Sequence, residues 1–500
     1  MSEKTITIGK LIIDNDKEII HKIIKEILLL FRLYIPKTAV QHCDYSVMEI
    51  KNTVTNAGEL KVNTQIYLTT DDRTESLQQE TAASSDENPK AAVNRLIKWN
   101  LYHLLKTKFG KVTAPWGILH GVRPAKIVHR YIASGMPRET IIRRFIDDYA
   151  VSPAKAALLT DIAYRQLPTI ASSDASTISI YIGIPFCLSR CLYCSFPSNL
   201  LPDETVLNSF MAALHKEVIS LQSLIIRYKL KVQTIYIGGG TPTSLPEKYF
   251  AALLKYAASL KTVDTVEFTV EAGRPDSITQ EKILLMNEYC VNRISVNPQT
   301  MQERTLNFIG RKHTPQDIID VYHVIRRMSS AKINMDLILG LPGESDADTS
   351  DTIKKIIGLA PDDITVHALA IKKGSALKLN KSDITLPNDA VVQKMAHIVE
   401  NALRRSDYQP YYLYRQGYMS GQLENTGYCK KDAASIYNIQ IMSEHQTILG
   451  IGGNASTKIV APAGTYLKTL FNPKNLAAYL KSVDDYIMRR VSLMEEVYGK

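Results

Sequence analysis

Tyr181-Ile182-Gly183-Ile184-Pro185-Phe186-Cys187-Leu188-Ser189-Arg190-Cys191-Leu192-Tyr193-Cys194 decides how this chain is read. An apolar, β-branched run ends in three cysteines spaced C-x3-C-x2-C. Residues of that kind favour strands, so the cysteines fall on the loop that follows one. Iron–sulfur clusters of the four-iron type are normally held by four cysteine thiolates. Three thiolates hold three corners and leave one iron without a protein ligand. An open coordination position is where a metal centre does chemistry.

Two other uses of cysteine fit less well. Structural zinc sites carry paired C-x2-C or Cys/His motifs, and Cys43, Cys290 and Cys429 each stand alone. Disulfide-rich domains are short and cysteine-dense, whereas this chain has 6 cysteines in 500 residues. The lone cysteines read as small buried hydrophobes.

The composition is that of a soluble globular protein, 45% apolar and 22% charged. The length corresponds to about three domains. No apolar run approaches the ~20 residues of a membrane span; the best candidate, Ile23 to Tyr34, contains Lys25, Glu26 and Arg32. Met1-Ser2-Glu3-Lys4 lacks the order of a signal peptide. The expected location is the cytoplasm, where thiols stay reduced. The net charge of +10 suits either a solvated basic surface or a polyanionic ligand. Basic residues are dispersed, with no long tract and no aromatic RNA-binding signature, so nucleic acid is not expected as a partner.

Two polar stretches punctuate the chain. Residues 71–90 are acidic and poor in apolar residues and read as a mobile loop. Residues 168–177 are small and polar and read as a linker. The expected division is an α+β accessory domain over 1–170, a central domain over 171–375, and a mostly helical, substrate-covering domain over 376–500. In the first domain, alternating runs at Tyr45–Lys51 and Lys61–Thr69 flank Asn56-Ala57-Gly58, a hairpin pattern. Pro115-Trp116-Gly117-Ile118-Leu119-His120-Gly121-Val122-Arg123-Pro124 offers either a binding surface or buried packing of Trp116.

From residue 178 short apolar runs alternate with amphipathic stretches. The strand candidates are Ile178–Pro185, Thr234–Ile237, Val266–Val270, Arg293–Val296, Ile333–Leu339 and Ile364–Ala370. Repeated β-α units imply a parallel sheet with right-handed crossovers. Six units are too few for a closed eight-stranded barrel, so a partial (β/α)6 barrel is expected. In such barrels the loops after the strands build the active site. That end collects the cysteines, Gly238-Gly239-Gly240-Thr241-Pro242-Thr243, Glu271, Gln299 and Asp336. Singly, each has an ordinary explanation: a tight turn for the glycines and helix caps for the acids. Arg311, in Phe308-Ile309-Gly310-Arg311-Lys312, is either a surface residue or a carboxylate clamp. Together they describe a site for S-adenosylmethionine beside a cluster, one of the radical cofactor chemistries.

Residues 178–371 resemble the core of the radical S-adenosylmethionine (SAM) superfamily. The Tyr181–Cys187 run, Gly238–Thr243, Arg293-Ile-Ser-Val-Asn-Pro-Gln299 and Asp336-Leu-Ile-Leu-Gly-Leu-Pro342 are more specific. They resemble the oxygen-independent coproporphyrinogen III oxidase family, in its long-chain, HemZ-type branch. Pro115–Pro124, Tyr411–Gly421 and Gly450–Ser456 extend the resemblance over 115–456. It implies that Cys187, Cys191 and Cys194 ligate a [4Fe-4S] cluster. It further implies that Tyr181 and Tyr193 pack around cluster and cofactor, and that Gly239, Gly240 and Thr241 lie along the methionine portion of SAM. Glu271, Gln299, Arg311 and Asp336 would hold its polar groups, Ala370 would line the adenosine pocket, and the Asn454–Thr457 loop would add a last contact.

The implied reaction is oxidative decarboxylation of two coproporphyrinogen III propionates to vinyl groups, with flavodoxin or ferredoxin as reductant. Arg123, Arg415 and Lys458 are the candidates for binding the propionates. The sequence departs from well-studied members at Phe196, where they carry a fourth cysteine. Two further readings follow: a radical SAM enzyme on another tetrapyrrole, such as heme-ring opening or methylation, and a heme chaperone with His120, His367 or His445 as axial ligand.

Overall fold

The computed structural model describes residues 5–36, 42–84, 87–110, 114–196, 199–372, 374–379, 384–416, 419–460 and 467–499. Contacts divide the chain into two compact units, Met1–Gly121 with Tyr131–Leu158, and Val122–Arg130 with Leu159–Lys500. The expected third domain over 376–500 is not separate, because its strands join the central sheet.

The first unit is built on β1 (Ile6–Asp14), α1 (Glu18–Leu30), β2 (Leu33–Tyr34), β3 (Tyr45–Asn56), β4 (Leu60–Thr69), β5 (Thr74–Ala82) and α2 (Pro89–Phe109). Three further helices follow, α3 (Ala125–Ala133), α4 (Arg138–Tyr149) and α5 (Pro153–Ala171), of which α3 up to Arg130 and α5 from Leu159 on fall in the second unit. The sheet runs β2-β1-β3-β4-β5, and the expected hairpin is present, with Asn56 opposite Leu60. Gly58 turns it at a φ of +86°, a conformation open to glycine. The loop expected at 71–90 is instead strand β5, paired with β4 from Thr74 to Ala82, followed by the start of α2; residues 85 and 86 lie outside the described residues. An edge strand needs few apolar side chains, and here Leu77 alone packs on the core. Of the linker expected at 168–177, residues 168–171 are the end of α5, with Pro168 inside the helix, and 172–176 run irregularly to the strand that starts at Thr177. Trp116 is fully buried, which settles it as packing. Cys43 and Cys290 are exposed, against the buried reading, while Cys429 is buried.

The second unit opens with β6 (Thr177–Ile184), β7 (Phe186–Cys187), β8 (Asn199–Leu200) and α6 (Glu204–Arg227). It continues through β9 (Lys231–Gly239), α7 (Glu247–Ala258), β10 (Glu267–Gly273), α8 (Gln280–Glu288), β11 (Arg293–Val296), α9 (Glu303–Phe308), α10 (Pro315–Met328), β12 (Lys332–Leu339), α11 (Asp346–Leu359) and β13 (Asp363–Ala368). The C-terminal segment supplies α12 (Ala376–Leu379), α13 (Asp389–Arg405), β14 (Gln409–Tyr414), β15 (Asn425–Cys429), α14 (Ile436–Ser443), β16 (Thr447–Gly452), β17 (Ser456–Val460), β18 (Leu467–Phe471) and α15 (Leu476–Tyr498). Long helices α13 and α15 give it the expected helical character, but five strands extend the sheet.

The sheet order is β14-β15-β13-β12-β11-β10-β9-β6-β16-β17-β18. β6 and β9 to β13 pair in parallel, the six expected units, and β16 adds a seventh parallel strand beside β6. β14 and β18 end the sheet, so the barrel is partial. Side chains alternate between faces. Ile178, Ile180, Ile182 and Ile184 pack in the helix-covered core with Leu449 and Ile451. Ser179 and Tyr181 therefore face the concave side.

Buried charges fix two parts of this frame. At the amino end of β10, Glu267 accepts from Ser435 Oγ (2.9 Å) and from the Ile436 (2.8 Å) and Tyr437 (3.1 Å) N–H groups, anchoring the start of α14. A carboxylate at a helix start satisfies donors that have no intrahelical partner. Arg293 beside it donates to Asp363 (2.8 Å) and to the Ala433 carbonyl (2.7 Å).

Candidate active site at the carboxyl ends of the strands

β6 delivers its chain through Pro185 into β7, which carries Cys187. The Cys194 N–H donates to the Cys191 carbonyl (3.1 Å), and Leu192 N–H to that of Ile309 (3.0 Å), so the loop is a turn tied to the end of α9. Cys191 is buried, and Cys187 and Cys194 are half-buried. Burial pushes the Cys194 thiol up.

The glycines after β9 are required by the chain itself. Gly240 N–H donates to the Ile184 carbonyl and Thr241 N–H to that of Phe186, each at 2.7 Å. A Cβ on Gly240 would stand 2.4 Å from the Phe186 oxygen. The glycine run thus seats the cysteine loop, and Thr241 Oγ1 reaches Cys187 Sγ at 3.5 Å.

Glu271, near the end of β10, accepts from Tyr236 Oη (2.5 Å) and from Gly239 N–H (3.1 Å). Burial pushes its carboxyl up to about 7, against the Tyr236 hydrogen bond, which lowers it. Tyr236 is stacked on Tyr437 (ring centroids 4.4 Å apart) and on Tyr181 (6.1 Å). Asp336, on β12, takes a bond from Asn334 (2.8 Å) and lies 3.7 Å from His367 Nε2. Burial would raise its carboxyl, but His367 and Asn334 outweigh that and hold it below the usual range.

Gln299 adopts a left-handed φ of +67°, costly for a residue with a Cβ. Two bonds to β12 enforce it: its N–H donates to the Asp336 carbonyl and its carbonyl accepts from Ile338 N–H, both at 2.9 Å. Its side-chain oxygen is buried and makes no hydrogen bond among the described residues. Arg311 is buried and donates to the Asn297 carbonyl (2.7 Å), the Gly273 carbonyl (3.3 Å) and Tyr193 Oη (3.0 Å). Its Nε is buried with no partner among the described residues.

Cys187, Cys191, Cys194, Tyr193, Gly239, Gly240, Thr241 and Arg311 line one cavity, with Arg274 and Asn297. An adjoining cleft of about 470 Å³ is lined by Tyr193, Cys194, Phe196, Gln299, His367, Ala370, Lys372 and Asn425, among others. Three thiols on one cavity suit a cluster with an open corner. The orphaned donor on Arg311 and acceptor on Gln299 suit the polar groups of a zwitterionic nucleoside cofactor, since buried polar atoms are otherwise almost always bonded.

Other expected residues are placed elsewhere. Arg123 and Lys458, with Lys126, converge on the carboxylate of Glu444. The Arg415 N–H donates to the Val122 carbonyl (2.8 Å). His445 neighbours His129 (5.4 Å between rings), and His120 belongs to the first unit, its ring 2.8 Å from the Ile118 carbonyl. Of the three histidines considered, His367 is the one lining the cleft. Thr457 bonds within its own strand pair, to Gly450, and accepts from Arg490.

Sequence reasoning missed Tyr236, Arg274, Asn297 and Tyr437. Arg274 and Asn297 follow strands β10 and β11 directly, so the strand-end rule that found Glu271 covers them too. Buried Arg274 pairs with Asp276 (2.6 Å) and donates to Ser189 of the cysteine loop (2.6 Å). Tyr437 had no signal, since it arrives from a helix far along the chain.

Residues 181–356 match the Radical SAM superfamily model. The chain is 37% identical over 413 residues to the oxygen-independent coproporphyrinogen-III oxidase-like protein HemZ of Bacillus subtilis, covering 82% of each. It is 29% identical over 281 residues to the heme chaperone HemW of the same organism, covering 55% of this chain and 70% of that one. Among solved structures, coproporphyrinogen III oxidase HemN of Escherichia coli superposes with a TM-score of 0.51 at 20% identity, over 68% of this chain and 82% of that one; at that identity the likeness speaks for the fold. No helix among the described residues is long and apolar enough to cross a membrane. The cofactors of such a protein are a [4Fe-4S] cluster and S-adenosylmethionine. With the cysteine loop, the partial barrel and the match to HemZ along most of its length, the chain belongs to the radical SAM superfamily and, within it, to the oxygen-independent coproporphyrinogen III oxidase family of HemZ type.

Proposed function

We propose that the protein is a cytoplasmic oxidoreductase of porphyrin biosynthesis that converts coproporphyrinogen III propionates to vinyl groups without oxygen. The observation that carries this reading is the shared cavity of Cys187, Cys191, Cys194 and Arg311, in a chain that matches HemZ over most of its length. Cys187, Cys191 and Cys194 ligate the cluster. Arg311 takes the cofactor's carboxylate, as a planar guanidinium suits a two-oxygen acceptor. Glu271 takes its ammonium, Gln299 and Asp336 the polar groups of the adenosine, and Ala370 lines the pocket of the base. Gly239, Gly240 and Thr241 run along the methionine portion, and Tyr181 and Tyr193 wall the site. When bound, the two cofactors supply hydrogen-atom abstraction from an unactivated carbon.

At each propionate, the β-carbon gives up one hydrogen atom, the carboxyl carbon leaves as carbon dioxide, and one electron passes to an external acceptor; a vinyl group remains. Basic side chains suit a substrate with four carboxylates. Flavodoxin or ferredoxin is the proposed reductant. The test is an anaerobic incubation of reconstituted protein with coproporphyrinogen III, S-adenosylmethionine and dithionite or flavodoxin. Deoxyadenosine together with vinyl product is expected. Deoxyadenosine without vinyl product would remove this substrate and leave another tetrapyrrole, such as heme, as the acceptor of the same chemistry.

A second reading is a heme chaperone, favoured by the likeness to HemW and by Phe196 in place of a fourth cysteine. Tight heme binding with no deoxyadenosine under any reductant would support it.

A further inference from the structure

Three tyrosines stand on the concave face of the sheet beneath the cofactor residues, and they form one stack. Tyr236 lies 4.4 Å from Tyr437 at an interplanar angle of 23°, and Tyr181 lies 6.1 Å and 6.2 Å from the other two. Tyr437 is buried and comes from α14, whose first N–H groups are held by Glu267. The stack therefore has a fixed base. Its working end is the Tyr236 hydroxyl, which donates to one oxygen of Glu271 while Gly239 N–H donates to the other. A carboxylate held through both oxygens has a single orientation and keeps its remaining lone pairs for a third donor.

We propose that Tyr236, braced by Tyr437, is a positioning residue that aims the Glu271 carboxylate at the ammonium of S-adenosylmethionine. This rests on the assignment of Glu271 to that ammonium. The need for such a device is electrostatic. Glu271 is removed from water and faces Asp336, a second negative group, with His367 as the nearby compensating base. Tyr181, Tyr414 and Tyr437 also face it and stay neutral, their hydroxyls raised by burial first and then by charge, that of Glu271 for Tyr181 and Tyr437 and that of Asp336 ahead of Glu271 for Tyr414. Among the described residues, Tyr236 and Gly239 alone hydrogen-bond the charged form, and such bonds favour it.

The sign of the pH effect follows. The ammonium binds the carboxylate form, so affinity falls as pH drops through the Glu271 titration. Removing the Tyr236 hydroxyl takes away a bond to the charged form, which moves that fall up by about one to two pH units. A merely structural defect lowers affinity equally at every pH.

The experiment uses the full chain, reconstituted anaerobically, with S-adenosylmethionine binding followed by equilibrium dialysis across neutral pH. The variants are Tyr236→Phe, Tyr437→Leu and Glu271→Gln. For Tyr236→Phe the binding curve is expected to shift upward by about one unit or more, with affinity within roughly threefold of wild type at the alkaline end. Tyr437→Leu is expected to move the same curve by less. A Tyr236→Phe variant that titrates like wild type, or that is weakened equally at all pH, overturns the proposal while Glu271→Gln remains impaired. If Glu271→Gln binds like wild type, the assignment of Glu271 falls, and the proposal falls with it.

Discussion

Arg490 donates to Glu217 at 2.6 Å, and neither side chain has any exposure to solvent. The pair joins α15 to α6, and its reach extends to the site. Glu217 also accepts from the N–H of Gly452 (2.7 Å), from Tyr479 Oη (2.6 Å) and from Asn472 (2.9 Å). Gly452 pairs with Gly183 at the carboxyl end of β6, the strand that leads to the cysteines. Breaking a buried pair leaves one uncompensated charge. Arg490→Met is therefore expected to cost about 3–5 kcal/mol in chemical denaturation. Arg490→Met with Glu217→Gln should cost less than Arg490→Met alone, because no bare charge remains.

Glu271 makes the stability of the cofactor-free protein depend on pH. Its folded value of about 7 lies above the ordinary 4.5. A carboxyl raised on folding contributes stability that is fully present below about pH 4.5 and is lost as pH rises through 7. The span corresponds to about 3 kcal/mol. Glu344, raised to about 7, and Asp363, raised to about 6, both chiefly by burial, act in the same direction. Glu271→Gln should therefore flatten the unfolding free energy between pH 5 and 8 relative to wild type. An unchanged slope would show that Glu271 does not titrate in that window.

The cysteine triplet makes a prediction that needs no turnover. Reconstituted wild-type protein should carry about four irons and four sulfides per chain. Cys187→Ala, Cys191→Ala and Cys194→Ala should each hold far less, and the triple variant essentially none. Cys43→Ala and Cys290→Ala should match wild type, since both residues are exposed and isolated from the loop. Iron and sulfide analysis reads all six variants against wild type.

The parts of the fold that were legible in the sequence are those whose residues explain themselves locally. Ile178, Ile180, Ile182 and Ile184 are apolar because helices cover their face, while Ser179 and Tyr181 alternate with them on the face of the tyrosine stack. Glu271, Gln299 and Asp336 were found because chemistry concentrates where parallel strands end. Thr74 to Ala82 was not legible, since β4 supplies its order by pairing and Leu77 alone needs to be apolar. The strands after residue 405 were hidden for a similar reason: β14 and β15 place five tyrosine and glycine residues, among them Tyr412 packed over Gly427, where an apolar run would be sought. Tyr437 is beyond any local reading, because its partners Tyr181 and Tyr236 lie more than two hundred residues earlier in the chain.

Arg311 offers a test of geometry against charge. Its guanidinium spans the Asn297 carbonyl, the Gly273 carbonyl and Tyr193 Oη, and leaves Nε without a partner among the described residues. A lysine keeps the charge but cannot reproduce three directions from one planar group. Charge-assisted hydrogen bonds are worth about 1.5–3 kcal/mol each. Arg311→Lys is therefore expected to weaken S-adenosylmethionine binding by roughly tenfold to a hundredfold, with the cluster content of wild type. Arg311→Met should weaken it further and also free Tyr193, whose hydroxyl would then lack its donor. If lysine serves as well as arginine, Arg311 acts through charge alone, and the unpartnered Nε has no part in holding the cofactor's carboxylate.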